Sequence, residues 1–348
     1  MSRRPLFWIG PLALLSLVNI GVVPSEGAAR SSESVRSASS TRVPKPTLYS
    51  ADRSASRKDK LARARAVALA REMAATAPRY KVDASGDTVP DVRAAAAIIY
   101  DPVTNQILWE ENSQSQRSIA SITKMMTAAV FLENDQDLTQ PVTIVKSDVF
   151  QASTTRLRSN DRVTADDLLH LLLIASDNAA ARALARVSPQ GPEGFIQRMN
   201  DKAAELGLES THYADPSGLL SENVSSAYDM ARLIAHVSAD ERIGLIMRTS
   251  EYTIYGNRRP ITFRSTNHLL GRAGVDVRAG KTGFIGKAGY CLATLLRLPQ
   301  GGQQVAVVVL GARSNAGRFM ETQHLFNWLS SQASRFFATN TPQTQQQQ

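Results

Sequence analysis

The sequence predicts an α+β fold in which an antiparallel sheet is flanked by helices and interrupted by a helical subdomain. Short apolar runs bounded by turn residues, typical of strands, occur between residues 94 and 110 and again after residue 251. Between them the chain carries apolar residues at helical spacing. A last helical pattern closes the chain. The order of strands, helices, strands and helix therefore suits a sheet that the C-terminal segments complete.

The N terminus has the features of a secretory signal peptide. Ser2-Arg3-Arg4 precedes an apolar run from Leu6 to Val23, and the small residues Gly27-Ala28-Ala29 follow. We predict that residues 1–29 are a signal peptide and that the protein is exported to the periplasm or the cell envelope. The apolar run is also long enough for an uncleaved membrane anchor. The paired arginines leave twin-arginine export open beside the Sec route.

Residues 30–92 are predicted to be a basic linker that contains a helix. Residues 30–57 are rich in Ser, Arg and Thr, Lys58 to Thr76 has helical spacing, and the polar stretch Asp83 to Val92 follows. The net charge is +9, yet residues 1–82 carry 15 Lys/Arg and 5 Asp/Glu, so the remainder is close to neutral. We expect no nucleic-acid binding by the core. The basic arm could make weak contacts with anionic envelope polymers, or simply be solvated.

The core elements follow in order from residue 93 to 338. Ala96 to Tyr100 and Gln106 to Trp109 predict two strands joined by a turn. Helices are then predicted around Ser121 and over Ala165 to Val187, Gly191 to Leu206 and Ser226 to Val237. Later strands are predicted over Tyr252 to Tyr255, Val275 to Thr282, Tyr290 to Leu298 and Gln304 to Leu310. Gly317 to Phe337 reads as a closing helix, and residues 339–348 as a disordered polar tail.

The pair Ser121 and Lys124 is the first candidate for chemistry. Residues three apart share one face of a helix, so the amine can lie beside the hydroxyl and activate it as a nucleophile. Ser121 is the only serine that stands three residues before a lysine. Taken alone, the stretch also fits an ordinary amphipathic helix with a serine near its start.

Two further short motifs follow at a distance. Ser176-Asp177-Asn178 interrupts an apolar helical run, where unpaired polar groups would be unfavourable, so these side chains need partners. Lys281-Thr282-Gly283 ends a predicted strand. Metal ligation is not expected, because the five histidines are scattered and Cys291 lies alone in an apolar run. No cofactor is expected.

The order Ser-x-x-Lys, Ser-Asp-Asn, Lys-Thr-Gly resembles the penicillin-interacting serine enzymes. The likeness extends over roughly Arg93 to Ser331 and includes Asp215-Pro216-Ser217-Gly218-Leu219, Ser225-Ser226-Ala227-Tyr228-Asp229 and Ala288-Gly289-Tyr290-Cys291-Leu292. It is similar to the low-molecular-mass penicillin-binding proteins, which are D-alanyl-D-alanine carboxypeptidases and endopeptidases. The resemblance implies a β-lactamase/transpeptidase-like fold, peptidoglycan peptides as substrates and β-lactam antibiotics as covalent inhibitors.

The resemblance also implies roles for individual residues. Ser121 would be acylated and Lys124 would be its base, with a pKa lowered by burial and by Lys281. Ser176 would pass a proton to the leaving amine, and Asn178 would hold Lys124 and the substrate backbone. The backbone N–H groups of Ser121 and Phe284 would stabilise the oxyanion. The substrate-binding positions implied are Lys281, Thr282, Gly283, Phe284 and Arg313, with Thr282 and Arg313 near the substrate carboxylate.

Several alternatives stay open at this point. The chain ends without the additional C-terminal β-domain of many carboxypeptidases, and it carries Arg258-Arg259-Pro260; both features favour the endopeptidase branch. A serine β-lactamase uses the same motifs. However, Glu193, Glu205 and Glu209 lack the Glu-x-x-Leu-Asn context of a class A deacylating glutamate. A catalytically silent wall-binding or scaffolding protein is the third alternative.

Overall fold

The computed structural model describes residues 57–67, 77–133, 135–255, 259–299 and 302–337. The predicted signal peptide, most of the linker and the polar tail lie outside these residues. Residues 57–67 form a helix, α1, whose side chains are all exposed, and the rest of the helix predicted from Lys58 to Thr76 lies outside the described residues. No helix in the described part of the chain has an apolar stretch long enough to cross a bilayer.

The α+β prediction is confirmed by a five-stranded antiparallel sheet. Its strands are β3 (Ala96–Asp101), β4 (Gln106–Glu111), β11 (Asp276–Ile285), β12 (Gly289–Arg297) and β13 (Gln304–Ala312). They lie in the order β11-β12-β13-β3-β4. The C-terminal strand β13 pairs with β3, with Val308 opposite Ile98. The last strands of the chain therefore complete a sheet begun by the first ones.

The central strands are buried on both faces, which explains why their sequences are continuous apolar runs. In β13, Ala306, Val308 and Leu310 belong to one core cluster. Val305, Val307 and Val309 belong to the other. Helix α9 (Asn315–Ser331) packs against the second face, while α7 (Ala227–Ser238) packs against the first.

The helical subdomain lies between β4 and β11 in the chain. Its elements are α2 (Lys124–Leu132), α3 (Lys146–Val149), α4 (Ala165–Ile174), α5 (Asn178–Val187), α6 (Gly191–Glu205), α7 and α8 (Glu241–Arg248), with the small strands β5 (Arg117–Ser118), β6 (Pro141–Thr143), β7 (Arg162–Thr164), β8 (Val224–Ser225), β9 (Glu251–Ile254) and β10 (Ile261–Arg264). Helix α10 (Ala333–Phe337) follows α9. The helical stretch predicted from Ala165 to Val187 consists of two helices, α4 and α5, which are separated at the Ser176-Asp177-Asn178 motif predicted to interrupt it.

A hairpin precedes the predicted start of the core at residue 93. It pairs β1 (Tyr80–Val82) with β2 (Thr88–Pro90). Trp328 of α9 donates its indole N–H to Thr88 O, and the Glu321 carboxylate accepts the backbone N–H groups of Arg93 and Ala94 at 3.0 and 2.9 Å. The stretch expected to be a polar separator is thus hydrogen-bonded to the closing helix.

Candidate active site

Ser121 lies in a tight turn at the start of α2. Residues Ala120–Thr123 form a 3₁₀ helix, and α2 begins at Lys124, so Ser121 is not within the first α-helical turn as the sequence suggests. In a 3₁₀ helix residues three apart eclipse one another. The predicted juxtaposition of Ser121 and Lys124 therefore holds, with the hydroxyl and the amine on the same side.

The Lys124 amine is fully buried and has three oxygen neighbours. Its Nζ lies 2.9 Å from Ser121 Oγ and 2.6 Å from Asn178 Oδ1, and it also contacts Ser217 O. The Asn178 amide orientation is determined by its Nδ2, which donates to Ala152 O at 2.7 Å. Asn178 Oδ1 and Ser217 O can only accept, so they take two N–H groups of Lys124. In the neutral amine the remaining lone pair faces the Ser121 hydroxyl.

Burial lowers the pKa of Lys124 to about 7, and Arg182 acts in the same direction, while Asp215 and Asp177 oppose the shift. A substantial fraction of the amine is thus neutral at physiological pH. The sequence prediction named Lys281 as the second cation. The cation that lowers the pKa of Lys124 is instead Arg182, whereas the pKa of Lys281 is itself lowered by burial and then by the charges of Lys124 and Arg318.

The Ser217 carbonyl is held in place by a loop built around the Asp215 carboxylate, which we call the Asp215 loop (residues 214–223). Asp215 accepts the backbone N–H groups of Ser217 and Gly218 at 3.0 and 3.1 Å and an N–H of the Asn223 side chain. The loop is tied to α2 because Thr127 Oγ1 donates to Pro216 O at 2.6 Å. The sequence motifs predicted no role for this loop.

Gly218 is required where the Asp215 loop meets the Ser121 turn. Its φ is +77°, and a Cβ there would lie 2.1 Å from Ala120 O and 2.9 Å from Ser121 N. We expect Gly218→Ala to lower the free energy of unfolding by about 3 kcal/mol or more, since backbone strain adds to a clash with backbone atoms. It should also slow acylation, because Ser121 N is displaced.

Gly271→Ala is the matched control for Gly218→Ala. Gly271 has a similar φ of +75°, but a Cβ there would meet nothing within 4 Å. This variant should lose only about 1 kcal/mol and keep its acylation rate. Chemical denaturation and penicillin labelling of both variants measure the difference. Equal losses in the two variants would contradict the clash at Ser121.

The Ser176-Asp177-Asn178 motif forms the break between α4 and α5. Ser176 has a φ of +59°, which ends α4, and Asp177 caps α5 by accepting the backbone N–H of Ala180 at 3.1 Å. The second oxygen of Asp177 accepts the N–H of Arg156 at 2.6 Å. Backbone strain of this kind persists only where the surroundings hold it. The break places Asn178 in the first turn of α5, beside Lys124.

Lys281, on β11, reaches Ser176 across the cleft. Its buried Nζ donates to Ser176 Oγ at 2.7 Å and to Thr282 O at 2.8 Å. An amine that donates to a hydroxyl oxygen leaves the hydroxyl proton free to donate elsewhere. The Ser176 proton can therefore be directed into the cleft.

These residues surround a cleft of about 410 Å³. Of the predicted residues, the structure brings six to its lining, namely Ser121, Ser176, Asn178, Thr282, Gly283 and Phe284. Lys124 and Lys281 lie behind the lining, bonded to Ser121 and Ser176. Strand β11 passes close to the nucleophile turn, since a Cβ at Gly283 would lie 2.6 Å from Ile119 O and 3.2 Å from Ser121 N.

Arg313 does not line the cleft; its side chain is exposed just after β13. The arginine that lines it is Arg318, which sequence reasoning missed. Arg318 is buried, donates to Gly283 O at 3.0 Å and to Cys291 O at 3.2 Å, and its guanidinium lies 4.8 Å from the Phe319 ring centre. Burial lowers its pKa to about 10, so it stays cationic at neutral pH. The sequence feature that could have indicated Arg318 is its position between Gly317 and Phe319, near the start of the closing helix.

The composition of the lining bears on the competing classes. The described residues that line the cleft include no glutamate, and Glu205 is instead paired with Arg198 on α6. A class A deacylating glutamate thus has no counterpart there. No group of three or more potential metal-ligating side chains occurs among the described residues.

A buried lysine beside a serine, a second serine–lysine pair and an α+β fold are the features of the penicillin-interacting serine enzymes. The family model for D-alanyl-D-alanine carboxypeptidases, Peptidase S11, matches residues 83–314. The chain belongs to this family. It is a serine D-Ala-D-Ala peptidase, as the three motifs predicted.

Individual relatives agree with this assignment. A D-alanyl-D-alanine endopeptidase of Escherichia coli is 33% identical over 246 residues, which cover 70% of this chain and 79% of that protein. The D-alanyl-D-alanine carboxypeptidase DacC of the same organism is 34% identical over 269 residues, with coverage of 73% and 64%. The solved DD-transpeptidase of Streptomyces K15 superimposes with a TM-score of 0.65 at 28% identity, covering 70% of this chain and 98% of that one.

Proposed function

We propose that the protein cleaves D-Ala-containing peptide bonds of peptidoglycan through an acyl-Ser121 intermediate. The observation that carries this proposal is the Lys124 amine, whose two carbonyl neighbours leave its lone pair for the Ser121 hydroxyl. Ser121 Oγ attacks the substrate carbonyl while its proton passes to Lys124. A base of pKa about 7 is matched to this transfer at neutral pH.

The oxyanion forms where β11 passes beside the turn, and the N–H groups of Ser121 and Phe284 are the proposed donors. Collapse of the tetrahedral intermediate breaks the C–N bond. The leaving amine takes a proton from Ser176, whose oxygen accepts a hydrogen bond from Lys281, and the proton that Lys124 took from Ser121 passes on to Ser176, so that Lys124 is neutral again. Water then hydrolyses the ester and regenerates Ser121, with Lys124 again accepting and returning a proton.

Arg318 is proposed to recognise the carboxylate end of the substrate, in place of Arg313. It is the arginine of the cleft lining, and it lies against the Gly283 carbonyl next to Thr282. The Thr282 hydroxyl is hydrogen-bonded to Thr266 Oγ1 at 2.6 Å, so one of the two hydroxyls donates to the other and the second keeps its proton to donate at this end of the cleft. A guanidinium with neighbouring hydroxyls suits a carboxylate.

The substrate is a peptidoglycan peptide, and penicillin is expected to acylate the same serine. Such a substrate requires action outside the cytoplasm, which agrees with the predicted export signal. Within the class we propose endopeptidase activity on D-Ala to diamino-acid cross-links. The similarity to the E. coli endopeptidase over 79% of that protein's length supports this branch.

Parallel digestion separates the two branches. We expect the purified mature protein to convert cross-linked muropeptide dimers to monomers, because an open cleft can admit a peptide on each side of the scissile bond. Pentapeptide monomers, supplied alongside, report the loss of terminal D-Ala. Chromatography with mass detection measures both reactions. Removal of D-Ala from monomers with intact dimers would refute the endopeptidase proposal.

A further inference from the structure

A second depression is bordered by a loop that also borders the cleft. It has a volume of about 490 Å³ and is lined by Lys146, Ser147, Phe150, Gln151 and Arg182. The same short loop, residues 150–154, contributes Ser153 and Thr154 to the catalytic cleft. We call residues 150–154 the shared loop.

The shared loop is firmly attached to α5. Arg182 donates to Phe150 O at 2.6 Å, Asn178 Nδ2 donates to Ala152 O at 2.7 Å, and Thr154 O accepts the N–H of Asn178 at 2.9 Å. Gln151 and Ser153 have φ values of +49° and +60°, on either side of the buried Ala152. A strained loop in which three of the five carbonyls accept hydrogen bonds from α5 is held in a fixed position beside both concavities.

The depression carries positive charge without a compensating acid. Within the described part of the chain neither Lys146 nor Arg182 forms an ion pair, and Arg182 bonds only to backbone carbonyls. The nearby Asp148 is bonded to Arg186 through both carboxylate oxygens. Beside these cations the Phe150 side chain is 61% exposed. Two cations next to an exposed aromatic ring suit a ligand that combines carboxylates with aliphatic segments.

The catalytic cleft, at about 410 Å³, is the size of a site for one small ligand, whereas a cross-linked dimer contains two stem peptides. Both stems carry carboxylates on their acidic and diamino-acid residues. We propose that the depression is a subsite for the carboxylates of the stem peptide that is not being acylated, with Lys146 and Arg182 as its cations and Phe150 as its apolar contact. This inference rests on the proposed function. It identifies the second stem peptide as the part of the substrate by which the protein distinguishes cross-linked peptides from monomers.

The test measures binding without turnover. All proteins carry Ser121→Ala, and isothermal titration calorimetry gives the Kd for a dimer with free carboxylates, the same dimer with amidated carboxylates, and a monomer. The test variant is Lys146→Gln, and Arg272→Gln is the control, because Arg272 is an exposed cation that lines a different depression. Phe150→Ser tests the apolar contact.

We expect Lys146→Gln to raise the Kd for the free dimer roughly tenfold, the effect of losing one charge-assisted hydrogen bond. The amidated dimer and the monomer should bind this variant and the parent equally, and Phe150→Ser should weaken both dimers about threefold. An unchanged Kd for the free dimer, an equal change with Arg272→Gln, or equal affinity of the parent for free and amidated dimers would overturn the subsite. Failure of the proposed function would show separately, as absence of a penicillin adduct on the protein that retains Ser121.

Discussion

Replacing Ser121 by Ala is expected to abolish the covalent penicillin adduct and to reduce peptide hydrolysis by about 10⁴-fold or more. Among the described side chains that line the cleft, the Ser121 hydroxyl and the Asn178 amide contact the Lys124 amine, and an amide cannot form an ester. Intact mass spectrometry after incubation with penicillin measures the adduct, and muropeptide digestion measures hydrolysis. Removing an oxygen from a half-buried site should leave the fold intact.

Ser221→Ala is the control for this experiment. Ser221 lies on the same Asp215 loop that supplies the Ser217 carbonyl, but its hydroxyl is exposed and contacts Glu222. The Ser221→Ala protein should form the adduct at the rate of the parent. A penicillin adduct retained in Ser121→Ala would assign the nucleophile to another residue.

Replacing Lys124 by Met is expected to reduce the acylation rate on the order of 10³-fold, within the range for loss of a general base. The parent enzyme should also show a pH dependence that the variant lacks. The pKa of Lys124 is lowered to about 7 by burial, so the neutral, proton-accepting form dominates above pH 7. The acylation rate should thus rise about tenfold per pH unit below 7 and level off above it.

Stopped-flow acylation by a chromogenic cephalosporin from pH 5.5 to 8.5 measures this profile. Lys124→Arg provides the second variant, because it keeps a cation at the site but cannot deprotonate in this range. It should be as slow as Lys124→Met. Thermal unfolding of all three proteins checks that they remain folded, since both substitutions disturb the acceptors Asn178 Oδ1 and Ser217 O. A flat parent profile, or full activity in Lys124→Arg, would contradict the role of the neutral amine.

Much of the architecture could be predicted because local patterns and tertiary packing agree. Strands β13 and β3 are apolar along most of their length, apart from the terminal Gln304 and Asp101, and burial of both faces of the sheet requires that composition. The Ser121–Lys124 contact was predictable for a similar reason. A spacing of three residues brings the side chains together in a 3₁₀ helix as well as in an α-helix, so the error in helix type did not affect it.

Other features depend on contacts between distant parts of the chain. Residues 165–187 have apolar residues at helical spacing, yet they form the two helices α4 and α5. The chain is held in the break between them because the Asp177 carboxylate accepts the N–H groups of Arg156 and Ala180. The arginine of the cleft was misassigned for the same reason. Arg313 follows the strand directly, but only the packing of α9 on β12 brings Arg318 to Gly283 and Cys291.

The sequence by itself determined the class of the protein, because its three ordered motifs contain the reacting groups. The chemistry of these groups requires that they lie close together in the folded chain. It also determined the α+β order of elements, through the spacing of apolar residues. The tertiary structure decided how the base is prepared. A backbone carbonyl, Ser217 O, completes the environment of Lys124, and backbone atoms carry no signal in a sequence because every residue has the same ones. The depth of burial, which lowers the pKa of Lys124 to about 7, is likewise a property of the packed chain.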